Sequence, residues 1–196
     1  MNNLLPSSLA MVPFVSVENM MRLVNTLGAP KMMAEICKYI EADFRRWPEF
    51  DKTPRVAAHS EEGVIELMPT SDGEFYGFKY VNGHPANMAR GFQTVTAFGV
   101  LANVENGYPV LFSEMTILTA LRTAATSALA AKYLAPKEAR VMGMIGNGAQ
   151  CEFQALAFNE IIGVETVRLY DLDPEATKKA AQNLRNTNLN VVVCKS

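Results

Sequence analysis

Gly146-Asn147-Gly148-Ala149-Gln150-Cys151 lies between a short apolar run, Val141 to Ile145, and a helical pattern, Ala149 to Ile162. Gly146 permits a tight turn there, and Gly148 lets the backbone come close to a ligand. The N–H groups that open the following helix then face an anion such as a pyrophosphate. Cys151 fills the third small position of the loop and is still compact enough for close helix–strand packing. A glycine pattern alone is weak, but here it sits between strand and helix. Asp171 closes the next apolar run, Thr166 to Tyr170, roughly 20 residues on, where an acid meets the hydroxyls of an adenosine ribose. An acid there repels a 2′-phosphate, so the pattern predicts NAD rather than NADP. Asp173 competes for the role, although its place before Pro174 suits a helix N-cap better.

Three cations form the second constellation. Arg122 shares a helical stripe with Leu118, Ala125 and Leu129, which sets a permanent charge on an apolar face among the small residues Thr123 to Ser127. Its partner is either an acid from elsewhere in the chain or a bound carboxylate or phosphate, and the pattern alone leaves both open. Lys79 shares a strand face with Phe75, Gly77 and Val81, and Arg55, after Pro54, can reach the same side. Two converging cations suit an α-carboxylate, while solvation of an edge strand is the plainer alternative. His59 and His84 lack ligand-like spacing, so no metal site is expected. The 11 methionines read as core filler.

The elements that position these residues follow from periodicity. Residues 17 to 46 read as two helices broken at Gly28-Ala29-Pro30. From Arg55 to Phe112 the period shortens into two hairpins: Val64 to Met68 with Phe75 to Val81 across Ser71-Asp72-Gly73, and Thr94 to Val104 with Tyr108 to Phe112 across Glu105-Asn106-Gly107. A mostly antiparallel sheet is expected. Ser113 is the expected N-cap, with Glu114 in the first turn, of a helix that Pro136 stops after Ala135. Beyond it a β-α-β-α-β order ends in Asn190 to Cys194 and predicts parallel strands. The expected fold class is therefore α/β: an α+β domain over residues 1–135, then the first half of a Rossmann-type domain over residues 136–196.

Composition narrows the function classes. With 196 residues, 49% apolar and 19% charged, the chain is globular rather than disordered. A net charge of −2 gives no general attraction to nucleic acid or to anionic lipid. No apolar run approaches the roughly 18 residues of a membrane span. Residues 1 to 17 contain no Lys or Arg and are interrupted by Pro6 and Pro13, so no secretory leader is expected. Cys37, Cys151 and Cys194, odd in number and widely spaced, suit reduced thiols in the cytoplasm.

Pro54-Arg55-Val56, Gly77-Phe78-Lys79-Tyr80-Val81, Leu121-Arg122-Thr123-Ala124-Ala125-Thr126-Ser127 and Ile145-Gly146-Asn147-Gly148-Ala149-Gln150 resemble, in order, the ornithine cyclodeaminase and mu-crystallin family. The resemblance implies that Arg55, Lys79 and Arg122 hold an amino-acid carboxylate, with Lys79 also assisting the water or amine at the reacting carbon. It implies NAD contacts from Thr94, Arg122, Ala149, Gln150 and Asp171, beside Gly146 and Gly148. Glu66, on the same strand face by parity, becomes a candidate for a distal substrate amine. In such enzymes bound NAD takes a hydride from Cα of L-ornithine and returns it after ring closure and loss of ammonia, which yields L-proline. Family members continue into a second nucleotide-binding half and an acid/base aspartate. The resemblance therefore makes this chain an expected amino-terminal fragment, inactive alone, of a homodimeric enzyme. An alanine dehydrogenase or ketimine reductase of the same family, or a non-catalytic mu-crystallin-like binding protein, is the alternative.

Overall fold

The structure, a computed structural model, describes residues 11–195, and its contacts divide them into two units. The first holds residues 11–20 and 48–116. Its strands are β1 (Phe14–Val15), β2 (Val56–His59), β3 (Val64–Ser71), β4 (Phe75–Gly83), β5 (Ala97–Asn103) and β6 (Pro109–Glu114). They form one sheet in the order β1-β6-β5-β4-β3-β2, antiparallel throughout except for β1 against β6. Turn chemistry sets the hairpins. Asp72 accepts the N–H groups of Glu74 and Phe75 at 3.1 and 2.8 Å, and Gly73 supplies a φ of 89°. Asn106 accepts Tyr108 N–H at 3.0 Å before Gly107, whose φ is 71°. Both are positions where a short polar side chain bonds its own turn and glycine takes the left-handed backbone.

Ser113 departs from expectation. It is no N-cap but the penultimate residue of β6, paired with Gly99 on one side and Val15 on the other. With the sheet holding Ser113 on both sides, the helix α3 (Thr116–Leu134) starts later, and Glu114 accepts the N–H of Thr116 at 2.9 Å.

The second unit holds residues 21–47 and 117–195. Most of α1 (Val17–Leu27) and all of α2 (Ala29–Arg45) belong to it, followed by α3, β7 (Val141–Ile145), α4 (Cys151–Ile162), β8 (Thr166–Tyr170), α5 (Pro174–Leu184) and β9 (Asn190–Val193). The three strands are parallel in the order β7-β8-β9, as a β-α-β-α-β sequence requires. Met144, Val167 and Leu169 from the sheet, Cys151 and Ala155 from α4, and Ala180 and Leu184 from α5 form its core. By contact, residues 21–47 and 117–134 group with β7 to β9, α2 packs on α4, and α2 buries Met33 and Cys37.

Glu41 ties α2 to α3. Its carboxylate accepts from Arg45 at 2.8 Å, from Lys132 at 2.7 Å and from the Tyr133 hydroxyl. The hydrogen bonds from Lys132, Tyr133 and Arg45 hold its pKa down at about 2, against an ordinary 4.5. A depressed carboxylate contributes its stability above the ordinary value and loses it as pH falls through the depressed one. Thermal melts of the wild type should therefore fall between pH 4.5 and about 2, and Glu41→Gln, less stable at pH 7, should fall less over that window. Parallel curves for the two proteins would show that the cluster is not what couples the helices to pH.

Candidate functional site

The turn after β7 is built from both sides. Gly146, with a φ of 91°, donates its N–H to Tyr170 O at 2.9 Å and so extends the β7–β8 ladder by one step. Asn147 N–H donates to Asp171 Oδ2 at 2.5 Å, and Cys151 N–H donates to Gly148 O at 3.0 Å. Helix α4 then begins without a side-chain cap, because Gln150 at the N-cap position makes none. Gly148 needs no left-handed backbone, and a Cβ built on it meets nothing within 4 Å. Neither strain nor internal packing asks for glycine there. The open space beside an uncapped helix N-terminus fits the approach of a phosphate.

Asp171 uses both carboxylate oxygens, since Oδ1 accepts Asp173 N–H at 2.9 Å. The hydrogen bond from Asn147, then that from Asp173, lowers its pKa, so the group is an anion at neutral pH. Asp173 caps α5 by accepting Glu175 N–H at 3.0 Å. Both acids are thus engaged by backbone N–H groups, Asp171 across the β7–α4 turn and Asp173 within its own helix. Cys151 is buried, and burial pushes its thiol up to about 11, which excludes a thiolate.

Sequence reasoning passed over Asn147. Its side chain is fully buried, with Nδ2 donating to Cys151 Sγ at 3.6 Å and Oδ1 accepting from Thr177 Oγ1 at 2.9 Å. The signal lay on α5, where Thr177 interrupts a buried stripe with Ala180 and Leu184. A hydroxyl in such a stripe calls for a polar partner.

In the antiparallel sheet, register settles which side chains share a face. Lys79 stands opposite Met68 and Gly99, and Glu66 stands opposite Val81 and Ala57. Lys79, Glu66 and Arg55, which precedes β2 by one residue, thus fall on one face. Arg55 Nη1 lies 3.3 Å from Glu66 Oε1, with side chains 64% and 22% exposed. Thr94 lies short of β5, half-buried, where its carbonyl accepts His84 N–H at 2.9 Å.

Arg122 corrects an expectation. The buried stripe of α3 is Leu121, Ala124, Ala125, Ala128 and Leu129, and Arg122 itself is exposed, turned out of that stripe by one residue's rotation. It makes no ion pair among the described residues, so the internal acid that was one of its two expected partners is not found there.

A cavity of about 420 Å³ between α2 and α3, lined by Glu41, Phe44, Thr126, Leu129 and Tyr133 among others, contains none of these residues. Among the described residues no cluster of His, Cys, Asp and Glu could hold a metal ion, and no helix is long and apolar enough to cross a membrane. The leader reading rests partly on residues 1–10, which lie outside the described residues.

The sequence pattern of the ornithine cyclodeaminase/mu-crystallin family matches residues 17–196. The chain belongs to that family. It is 67% identical over 189 residues to an ornithine cyclodeaminase of Brucella suis biovar 1 (strain 1330), a match that covers 96% of this chain and 53% of the relative. The chain thus spans about half the length of the curated relatives it matches. Among solved structures it resembles an archaeal alanine dehydrogenase dimer with bound NAD, at a TM-score of 0.78 and 30% identity over 93% of this chain and 56% of the other. It also resembles a lysine cyclodeaminase described as recognising L-lysine, L-ornithine and L-2,4-diaminobutyric acid, at a TM-score of 0.86 and 26% identity over 94% and 56%. The mixed α/β fold with a mostly antiparallel sheet is the one expected.

The two loop glycines of this family member separate by stability. Gly146→Ala forces a side chain onto a φ of 91° and should cost more than about 1 kcal/mol. Gly148→Ala enters open space and should stay within about 0.5 kcal/mol. Urea unfolding of both variants measures the contrast, and equal costs would refute the geometry given to Gly148.

Proposed function

We propose that this chain serves an ornithine cyclodeaminase, which converts L-ornithine to L-proline and ammonia with NAD bound at the Gly146–Gln150 turn. The observation that carries the reading is the common face of Arg55, Glu66 and Lys79. A diamino acid brings an α-carboxylate and a distal ammonium, and this face offers two cations for the first and one acid for the second. In the ligand-free chain Arg55 and Glu66 neutralise each other. Exposed pairs of this kind are worth only about 0–1 kcal/mol, so exchange for substrate groups costs little.

The roles divide by residue. Arg55 and Lys79 hold the carboxylate, and Lys79 also assists proton movement at the reacting carbon. Glu66 holds the distal amine. Gly146, Gly148, Ala149 and Gln150 present backbone to the pyrophosphate, and Asp171 receives the ribose hydroxyls. Thr94 and Arg122 contact the cofactor by family resemblance, and Arg122, an exposed guanidinium with no ion pair among the described residues, suits an anionic ligand group. NAD when bound supplies a hydride acceptor that gives the hydride back, so no net redox change is needed. The three free thiols agree with a reducing cytoplasm.

A homodimer is part of this reading. The sheet face opposite Lys79 leaves Phe14, Val56, Leu67, Phe98 and Phe112 exposed, and clustered apolar side chains of this kind mark interaction surfaces. The resembling alanine dehydrogenase is a dimer. Sedimentation of Phe98→Glu should give a lighter species than the wild type, and an unchanged species would remove this face from the interface.

The alanine dehydrogenase reading is separated by Glu66, because alanine has no distal amine to bind. Ammonia and proline formed from L-ornithine without accumulation of NADH support the cyclodeaminase. NADH accumulation with L-alanine supports the dehydrogenase, and binding without turnover supports a non-catalytic relative. Glu66→Gln should lower kcat/KM for ornithine roughly 10- to 100-fold, the range for a lost charged hydrogen bond. Gly148→Val should weaken NAD at least ten-fold, about 1.4 kcal/mol, because it fills the space left for phosphate.

A further inference from the structure

Behind the Asp171 carboxylate lies a polar cluster that no role assigned above uses. Thr177 Oγ1, on the buried side of α5, donates to Asn147 Oδ1 at 2.9 Å. The Nδ2 of Asn147 donates to Cys151 Sγ at 3.6 Å, and its backbone N–H donates to Asp171 Oδ2 at 2.5 Å. One buried residue of the turn thus ties the start of α4, the first half of α5 and the end of β8. Asn147 and Thr177 are among the few buried polar side chains of the described residues, and the core around them is otherwise apolar. A buried amide is costly unless bonded, and an apolar residue would fill the same space, so packing alone does not call for it.

We propose that Thr177, acting through Asn147, is a positioning residue that fixes the Asp171 carboxylate and thereby the choice between dinucleotides with a 2′-hydroxyl and those with a 2′-phosphate. This rests on the reading of the turn as an NAD site. The Asn147 side chain is held at both ends of its amide, so its backbone cannot turn and its N–H stays aimed at Asp171. Asp171 itself stands at a strand end beside Leu172, 90% exposed, and its other oxygen accepts from Asp173 N–H at 2.9 Å within the same loop, so the bond from Asn147 is what ties it to the β7–α4 turn. Without the clamp the carboxylate can swing aside. A displaced acid both loses the diol and ceases to repel a 2′-phosphate.

The test uses Thr177→Val, which keeps the shape and removes the donor, and Thr177→Ser, which restores the donor. NADH and NADPH are titrated separately by nicotinamide fluorescence, and amide hydrogen exchange is followed at Asn147 and Asp173. Thr177→Val should weaken NADH about ten-fold, a typical loss for one buried hydrogen bond, while NADPH changes less, so that the preference narrows. Exchange at Asn147 should quicken by a similar factor, and Thr177→Ser should return both readouts towards the wild type. Should Thr177→Val fail to fold, Thr177→Cys, a weaker donor, should give an intermediate narrowing. Equal loss of both dinucleotides would make Thr177 merely structural and overturn the proposal. Unchanged exchange at Asn147 would overturn the clamp whether or not a dinucleotide binds. A wild type that binds neither dinucleotide, with exchange still responding to Thr177→Val, would overturn the NAD reading and the selectivity with it, while leaving the clamp in place.

Discussion

One hydrogen bond, from Asn147 N–H to Asp171 Oδ2 at 2.5 Å, decides the shape of the parallel half of this chain. Beyond Ile145 the chain must leave the sheet, and Gly146 takes the last ladder bond, to Tyr170 O. The next N–H has no strand partner, and a buried backbone donor left unpaired is costly. Asp171, the first residue past β8, supplies the acceptor. Because the turn is held from the neighbouring strand, Gly148 needs no contact of its own, and the space beside it stays open. The same bond keeps Asp171 ionised by lowering its pKa, so structural support and a fixed negative charge come from one group. By linkage, that support is present above the ordinary carboxylate range and fades as pH falls through the lowered value.

A different constraint governs the antiparallel sheet. There the period of two decides which chemistry meets which, and the register of β2, β3 and β4 puts Arg55, Glu66 and Lys79 on one side. A slip of one residue would move Lys79 onto the face of Tyr76, Phe78 and Tyr80. The turn between β3 and β4 opposes it. The Asp72 turn pins the β3–β4 hairpin at its end. Gly99, opposite Lys79, admits Met115, since a Cβ there would stand 2.1 Å from its sulfur, a close approach that ties β5 to the end of β6.

What could be read from the sequence follows the same division. Both hairpins, the break at Gly28, the β-α-β-α-β order and the Asp173 cap are local features, written in turn residues and periodicity, and each is found. Non-local pairing was not legible. Ser113 reads as a cap by its type and neighbours, yet two strands claim its backbone. Two-residue β1 is too short to carry a period. A helical wheel fixes relative but not absolute orientation, so the spacing of Arg122 with Leu118, Ala125 and Leu129 does not reveal that the buried stripe of α3 runs through Leu121 instead. Among the candidate site residues, Gly146, Gly148 and Asp171 are visible because their types are unusual for their positions. Asn147 occupies a slot in the glycine pattern where any residue is allowed, so only its partners reveal its work.

The charges around the turn complete the case for an anion there. The N-terminus of α4 carries a partial positive charge, but the first turn also holds an acid, Glu152, and Asp171 is close by. Glu152 is bound by Asn183 at 2.7 Å and Lys179 at 3.4 Å, both from α5. Asp171 is bound by two backbone N–H groups. The buried Cys151, with its thiol raised to about 11, adds no charge. Glu152, the acid nearest the helix end, is therefore already matched to donors on α5, while Asp171 keeps its charge and sets it against a 2′-phosphate. What remains unmatched is the uncapped end of the helix itself. A loop of this composition whose Glu152 lacked such partners would present glycines in the same order and set an unpaired acid against the ligand they suggest, so the partners on α5 bear on the pattern as much as the glycines do.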